Sequence, residues 1–231
     1  MTWKVIIFDL NGVIVNDELI HKELIRDLLL GENLLLCDLE YKQICLGRSD
    51  RHCLEQLLSK RGRFVTEEYL NKLIDKKAIA YRQTISQLDS LPIYPDVRDF
   101  LAKVKERRLL MGIVTGSSRS EVELILNRAQ ISHSFSVVVT SDDTISSKPD
   151  PEGYLLALSL LAKQNPELSL KPSDCLVIED SFAGIQAAKN AGMQVVGVAN
   201  TYPFHMLQRQ TNWVVDHLSE LEVDRVEQVL A

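Results

Sequence analysis

Apolar and polar positions follow two different rhythms along this chain. Residues 5–8, Val-Ile-Ile-Phe, form an unbroken apolar run with β-branched members, the pattern of a strand buried on both faces. The run stops at Asp9, and Gly12 marks a tight turn. From residue 17 the spacing becomes helical: Leu19, Leu24 and Leu28, then Leu54, Leu57 and Leu58, then Leu70, Leu73 and Ile74. This block predicts helices over 17–31, about 34–45, 50–60 and 66–87, and no strand. Thr66 ahead of Glu67 and Glu68 reads as a helix N-cap with acids in the first turn. Beyond Pro92 and Pro95 the rhythms alternate. Strands are predicted at 109–115, 135–140, 175–179, 194–198 and 213–215, with helices near 96–107, 119–130, 151–164, 182–191 and 218–229. Asp150 with Pro151 marks one helix start, and Ser181 and Gly192 bracket another helix.

Alternating strands and helices require right-handed crossovers and hence a parallel sheet. The chain therefore reads as an α/β protein: a Rossmann-like doubly wound core from 1–16 and 89–231, with an α-helical block, 17–88, inserted after the first strand. No internal repeat or low-complexity segment interrupts this organisation.

A length of 231 residues leaves ample core, and 45% hydrophobic with 25% charged residues is ordinary for a globular chain. A net charge of −6 gives no footing for nucleic acid, which needs a basic face. The basic run at 103–108 reads as a solvated helix face. There is no charged-then-apolar leader and no apolar stretch approaching 18 residues, so neither secretion nor a membrane span is expected. Cys37, Cys45, Cys53 and Cys175 lack C-x-x-C or His-flanked spacing and read as buried free thiols of a cytoplasmic protein. A monomer is the expectation.

Chemistry collects at the strand ends. The first strand ends in Asp9; the second delivers Thr115-Gly116-Ser117-Ser118. Ser118 and Glu121 form a capping box, so a helix N-terminus with free N–H groups follows, and with the hydroxyls and Gly116 this reads as a phosphate site. A plain capped turn is the alternative. The third strand leads to Lys148-Pro149-Asp150-Pro151, where Lys148 can project an ammonium toward the strand ends. The fourth ends in Glu179-Asp180, adjacent carboxylates that are costly unless a cation or donors meet them. The oxygen set Asp9, Glu179 and Asp180 suits Mg²⁺.

With Phe-Asp-Leu-Asn-Gly-Val at 8–13, Val-Thr-Gly-Ser at 114–117, Lys148-Pro149-Asp150-Pro151 and Ile-Glu-Asp-Ser-Phe-Ala-Gly-Ile at 178–185, the chain resembles the haloacid dehalogenase superfamily over essentially its whole length. The resemblance is to the β-phosphoglucomutase-like sugar phosphatase subgroup. It implies Asp9 as a nucleophile that becomes an aspartyl-phosphate, Thr115 bonding the phosphoryl group, and Lys148 steadying both. It further implies Mg²⁺ held by Asp9, Asp180 and the carbonyl of Asn11, with Glu179 in or near the shell, and a small phosphorylated metabolite as substrate. The block at 17–88 resembles the family's cap. There Arg48 or Arg51, Lys77 and His21 lie where relatives contact the distal part of a phosphorylated sugar, and a second phosphate or carboxylate would fit the arginines. Each could equally be a solvated helix charge.

Position 11 departs from the family. Relatives carry an aspartate there that protonates the leaving alkoxide and later deprotonates water. Asn11 keeps the backbone carbonyl, but its amide does no useful proton transfer, a loss of about 10²–10⁴-fold. Position 16, often aspartate in relatives, is also asparagine. Three readings stay open: a slow phosphatase or one restricted to good leaving groups, a binder without turnover, or an engineered replacement. A mutase uses the same core residues. A dehalogenase would not need the metal carboxylates, and a phosphonatase would need a cap lysine as an amine nucleophile, for which Lys77 is the weak candidate.

Overall fold

The computed structural model describes residues 3–230. In chain order the elements are β1 (Val5–Phe8), α1 (Glu18–Gly31), α2 (Asp38–Ile44), α3 (Asp50–Ser59), α4 (Glu67–Gln87), α5 (Val97–Glu106), β2 (Leu110–Val114), α6 (Arg119–Arg128), β3 (Val137–Val139) and α7 (Glu152–Gln164). They continue as β4 (Cys175–Glu179), α8 (Phe182–Asn190), β5 (Gln194–Val198), α9 (Phe204–Leu207), β6 (Trp213–Val215) and α10 (Val223–Leu230). The strands form one parallel sheet in the order β3-β2-β1-β4-β5-β6. This is the predicted α/β architecture with a helical insert after the first strand.

Strand β1 lies at the centre, and its side chains explain its unbroken apolar run. Ile6 and Phe8 enter one core with α5 and α6, while Val5 and Ile7 enter the other with α7 and α8. Phe8 packs edge-to-face on Phe100 and Phe135, with ring centroids 6.0 and 5.9 Å away. The chain leaves β1 for neighbours on both sides, so a switch point opens at the carboxyl ends of β1 and β4. Asp9 and Asp180 follow those strand ends directly.

Helices α1–α4 pack around their own apolar cluster, which includes Ile25, Leu54, Leu57 and Leu70. Tyr81 and Ile85 of α4 instead join the core beside β1, tying the insert to the sheet. Several helix ends form as their sequences predict. Thr66 accepts the Tyr69 N–H, Ser118 and Glu121 make a reciprocal box, and Ser181 accepts the Gly184 N–H. The helix expected to begin at Pro151 starts one residue later: Pro151 is the half-in residue, and Asp150 accepts the Glu152 N–H at 2.9 Å.

Other boundaries move. The second insert helix begins at Asp38 because Cys37 caps it in an extended conformation. The segment at 218–229 splits: a 3₁₀ turn at Leu218–Glu220, extended Leu221, then α10. Buried Leu218, Leu221, Val223 and Val226 imitate a continuous helical face. The short α9 was not predicted; four residues after Pro203 are too few to show a period.

The cysteine expectation needs correction. Cys45 and Cys53 form a disulfide, Cys37 is exposed, and only Cys175 is a buried free thiol. Cys45 ends α2 and Cys53 lies in the first turn of α3. The turn at Gly47, with φ +72°, folds the two helices back so that they meet. An eight-residue separation matches no pairing motif, so only the fold reveals it.

Candidate active site

Three loops converge at the switch point. Asp9 is buried, and its Oδ1 accepts the Leu10 N–H at 2.8 Å and meets Lys148 Nζ at 3.0 Å. Lys148 also donates to the Val114 carbonyl at 3.1 Å and to Glu179 Oε1 at 2.6 Å. Lys148 is thus aimed at Asp9. Burial disfavours its charge, but Asp9 and Glu179 outweigh that and hold it protonated.

Glu179 is saturated. Its Oε1 accepts from Lys148 and from the Tyr154 hydroxyl at 2.9 Å. Its Oε2 accepts from the Asp180 N–H, the Ser181 N–H and the Ser181 hydroxyl at 3.1, 3.1 and 3.0 Å. A Cβ on Gly184 would overlap this carboxylate, so a glycine at that point of α8 lets the acid lie against the helix.

Asp180 is different. Thr201 donates to its Oδ2, while its Oδ1 is buried without any partner. Gly12, at φ +80°, approaches so closely that a Cβ would overlap Oδ2. Asn200 braces the same turn by donating to the Gly12 carbonyl at 2.8 Å.

Asp9, Glu179 and Asp180 bring carboxylate oxygens within 4.8 Å of one another. Burial pushes Asp9 up to about 7, with Lys148 opposing and Glu179 adding to the rise. Burial, Glu179 and Asp9 push Asp180 far above the usual carboxylate range. One lysine does not balance this charge, and the orphaned Asp180 Oδ1 lacks a donor. Hard oxygen donors with uncompensated charge fit a divalent cation such as Mg²⁺.

Asn11 joins the loops after β1 and β2. Its Oδ1 accepts from Ser117 at 2.8 Å and Thr115 at 3.2 Å, and Thr115 Oγ1 accepts the Ser117 N–H at 3.1 Å. Its Nδ2 lies 3.0 Å from both oxygens of Asp17 and 3.1 Å from His21 Nε2. Buried Asp17 also accepts from the Tyr81 hydroxyl and pairs with His21 at 3.3 Å. Burial alone would raise Asp17, but His21, Tyr81 and Asn11 hold it below the usual range.

The insert closes over these groups. A Cβ on Gly116 would overlap the Arg48 backbone, and the Ser49 N–H donates to Ser147 at 2.8 Å. A cavity of about 40 Å³ beside the nucleophile has Asp9, Asn11, Gly116 and Ser117 on the core side and Glu18, His21, Tyr41, Arg48 and Asp50 on the insert side. That is room for a few waters at most.

The expected insert residues separate. His21 lines the cavity. Arg48 also lines it, but its Nη1 bonds the Gln43 and Ile44 carbonyls at 2.7 and 3.1 Å. Arg51 turns outward to Glu67 at 2.6 Å and to Asn71. Lys77 is buried among Asp50 at 2.9 Å, Glu121 at 3.0 Å and His21 Nδ1 at 2.6 Å, which leaves no free amine for a nucleophile's role. Asp17, Tyr81, Asp50, Tyr154, Asn200 and Thr201 escaped sequence reasoning. None of them belongs to a recognisable motif, and only the buried carboxylate ahead of an amphipathic helix, Asp17, left a trace.

A haloacid dehalogenase-like hydrolase model matches residues 6–198. The chain belongs to that family. It is 30% identical to a β-phosphoglucomutase of Bacillus subtilis over 217 residues, 90% of each protein. It is also 30% identical to a fructose-1-phosphate phosphatase of Escherichia coli, spanning 84% of this chain and 95% of that one. A crystal structure of β-phosphoglucomutase from Clostridium difficile superposes with a TM-score of 0.85 at 25% identity, covering 98% and 96% of the two chains. The six-stranded sheet with its helical insert is therefore the haloacid dehalogenase-like architecture. Among the described residues no helix is long and apolar enough to cross a membrane.

Proposed function

We propose that this protein hydrolyses a small phosphorylated metabolite, a sugar phosphate foremost, by passing its phosphoryl group through Asp9. The observation that carries this is the convergence of Asp9, Lys148 and Asp180 at one sheet edge, with Lys148 Nζ 3.0 Å from the Asp9 carboxylate. Family relatives named for phosphorylated carbohydrates support the substrate class.

Asp9 Oδ1 is engaged by Leu10 and Lys148, leaving Oδ2 for the cavity. Attack by an Asp9 carboxylate oxygen forms an oxygen–phosphorus bond as the ester oxygen–phosphorus bond breaks, the leaving alkoxide taking a proton from water. A water molecule then attacks the same phosphorus, the Asp9 oxygen–phosphorus bond breaks, and inorganic phosphate and the free carboxylate result. Lys148 offsets the repulsion between nucleophile and phosphate, and the hydroxyls of Thr115 and Ser117, turned from Asn11, receive the phosphoryl oxygens. The first N–H groups of α6 are already taken by Glu121 and Asp142. Asp9, Asp180 and the Asn11 carbonyl would hold Mg²⁺, which when bound neutralises charge building on the phosphoryl group. Glu179, with its lone pairs occupied, anchors Lys148. Residues 17–88 act as a cap that must open, since the closed cavity is too small for a sugar phosphate.

The weak step is proton transfer. Asn11 donates its amide to Asp17 and cannot protonate a leaving alkoxide. Turnover is accordingly slow for alkyl esters and faster for aryl or acyl phosphates. The likeness to β-phosphoglucomutases favours a second reading, transfer to another sugar hydroxyl; the locked Asn11 favours a third, binding without turnover. The test is Mg²⁺-dependent hydrolysis of p-nitrophenyl phosphate beside Asp9→Asn. Activity at least tenfold above that variant is expected, and equal activity would exclude hydrolysis.

A further inference from the structure

The insert side of the cavity is acidic. Glu18 lines it, with Oε1 accepting the Tyr41 hydroxyl at 2.5 Å and no basic side chain in ion-pair range among the described residues. Asp50 lines it too, opposite the nucleophile's side. Asp17, Glu18, Asp50 and Glu121 cluster here, and the cations that could offset them are Lys77, shared by Asp50 and Glu121, and His21 when protonated. Arg51 points away, paired with Glu67 and Asn71. Arg48 commits Nη1 alone to the carbonyls that end α2, where the helix dipole is negative. Its Nε is left with a single unpaired N–H, which suits a hydroxyl oxygen. Arg51 thus takes no part in the second anion site that its position in sequence suggests, and Arg48 is left to face two carboxylates, Glu18 and Asp50, in the lining of the same cavity.

We infer that the site accepts phosphomonoesters whose far end carries hydroxyl or ammonium groups, and rejects substrates with a second phosphate or a carboxylate. A second anion would lie against Glu18 and Asp50 in a water-poor cavity, where like-charge repulsion is screened little. Hydroxyls can donate to both carboxylates, and an ammonium would offset them. The inference deepens the reading of Asp9 as phosphoryl acceptor and rests on it. It also separates hydrolysis from isomerisation. Transfer from phospho-Asp9 to a sugar already bearing one phosphate creates a bisphosphate, and that species needs a distal anion site. Water as acceptor needs none.

The test is calorimetric binding to the Asp9→Asn protein with Mg²⁺, which reads recognition apart from turnover. The probes are glucosamine 6-phosphate, fructose 6-phosphate and fructose 1,6-bisphosphate. Both monophosphates should bind at least tenfold more tightly than the bisphosphate. Glu18→Gln, which keeps an acceptor for Tyr41, should narrow that gap several-fold, and Asp50→Asn should do the same. Equal or tighter binding of the bisphosphate, or a gap unmoved by Glu18→Gln in a folded protein, would overturn the inference. Failure of the unsubstituted protein to hydrolyse p-nitrophenyl phosphate while this discrimination persists would instead remove the catalytic reading alone.

Discussion

Asn11 is held from both ends. Its carbonyl oxygen takes the Ser117 and Thr115 hydroxyls, and its amide nitrogen faces the Asp17 carboxylate at 3.0 Å. The carboxylate missing from position 11 is therefore present at position 17, one hydrogen bond away and shut behind the amide. Asn11→Asp would set two carboxylates where one hydrogen bond now lies, and such a pair cannot ionise together. The single substitution should restore little alkyl phosphatase activity. Asn11→Asp with Asp17→Asn should gain about 10²-fold in kcat, within the range expected for a recovered general acid. Steady-state kinetics on a sugar phosphate decides this; a single variant as active as the double would refute the pairing. The oddity of Asn11 was legible in the sequence, since it broke a motif. Its partner was not, because Asp17 belongs to the start of a helix and nothing in a linear reading makes the two side chains meet.

At the scale of elements, the segment joining α2 to α3 carries the insert's contacts with the phosphate-side loops. Gly47 lies against Ser181, the Arg48 backbone against Gly116, and Ser49 donates to Ser147. The Cys45–Cys53 disulfide closes this segment. A loop this short gains about 2–3 kcal/mol from cross-linking. Reduction by dithiothreitol should lower the melting temperature and speed hydrogen exchange in residues 45–53 beyond any change in the sheet. An unchanged exchange pattern would contradict that role. On the core side, Gly184→Ala should cost activity by pushing Glu179 off Lys148, although alanine favours the helix itself. A rise in stability without loss of activity would be the opposing result. Helix ends with side-chain caps were readable because capping is local chemistry, as at Thr66, Ser118 and Ser181. The disulfide, the break at Leu221 and the outward turn of Arg51 depend on tertiary packing and were not.

For the whole molecule, the sheet gathers buried carboxylates at its switch point at a cost in metal-free stability. The folded Asp9 ionises near 7, above its unfolded value of 3.8, and Asp180 shifts in the same direction. The folded state thus binds these protons more tightly, so the Asp9 contribution is full below the unfolded pKa and disappears as pH rises through about 7, and the Asp180 contribution is lost in the same direction. Metal-free protein should therefore melt lower at about pH 8 than at about pH 5 from this cause, and Mg²⁺ should raise the melting temperature more at the higher pH. Equal Mg²⁺ effects at both would argue against these carboxylates as the site. The fold class and the four converging strand ends were legible because a parallel sheet aligns its carboxyl ends whatever the sequences between them. Cap closure and cavity charge were not, since both depend on which way long side chains turn. The most direct measurement of the central claim is intact-protein and peptide mass spectrometry after exposure to Mg²⁺ and acetyl phosphate, a good phosphoryl donor. Slow release at Asn11 should let one phosphoryl group accumulate on the peptide containing Asp9, and none should appear in Asp9→Asn. Labelling elsewhere, or no labelling with metal bound, would contradict the account.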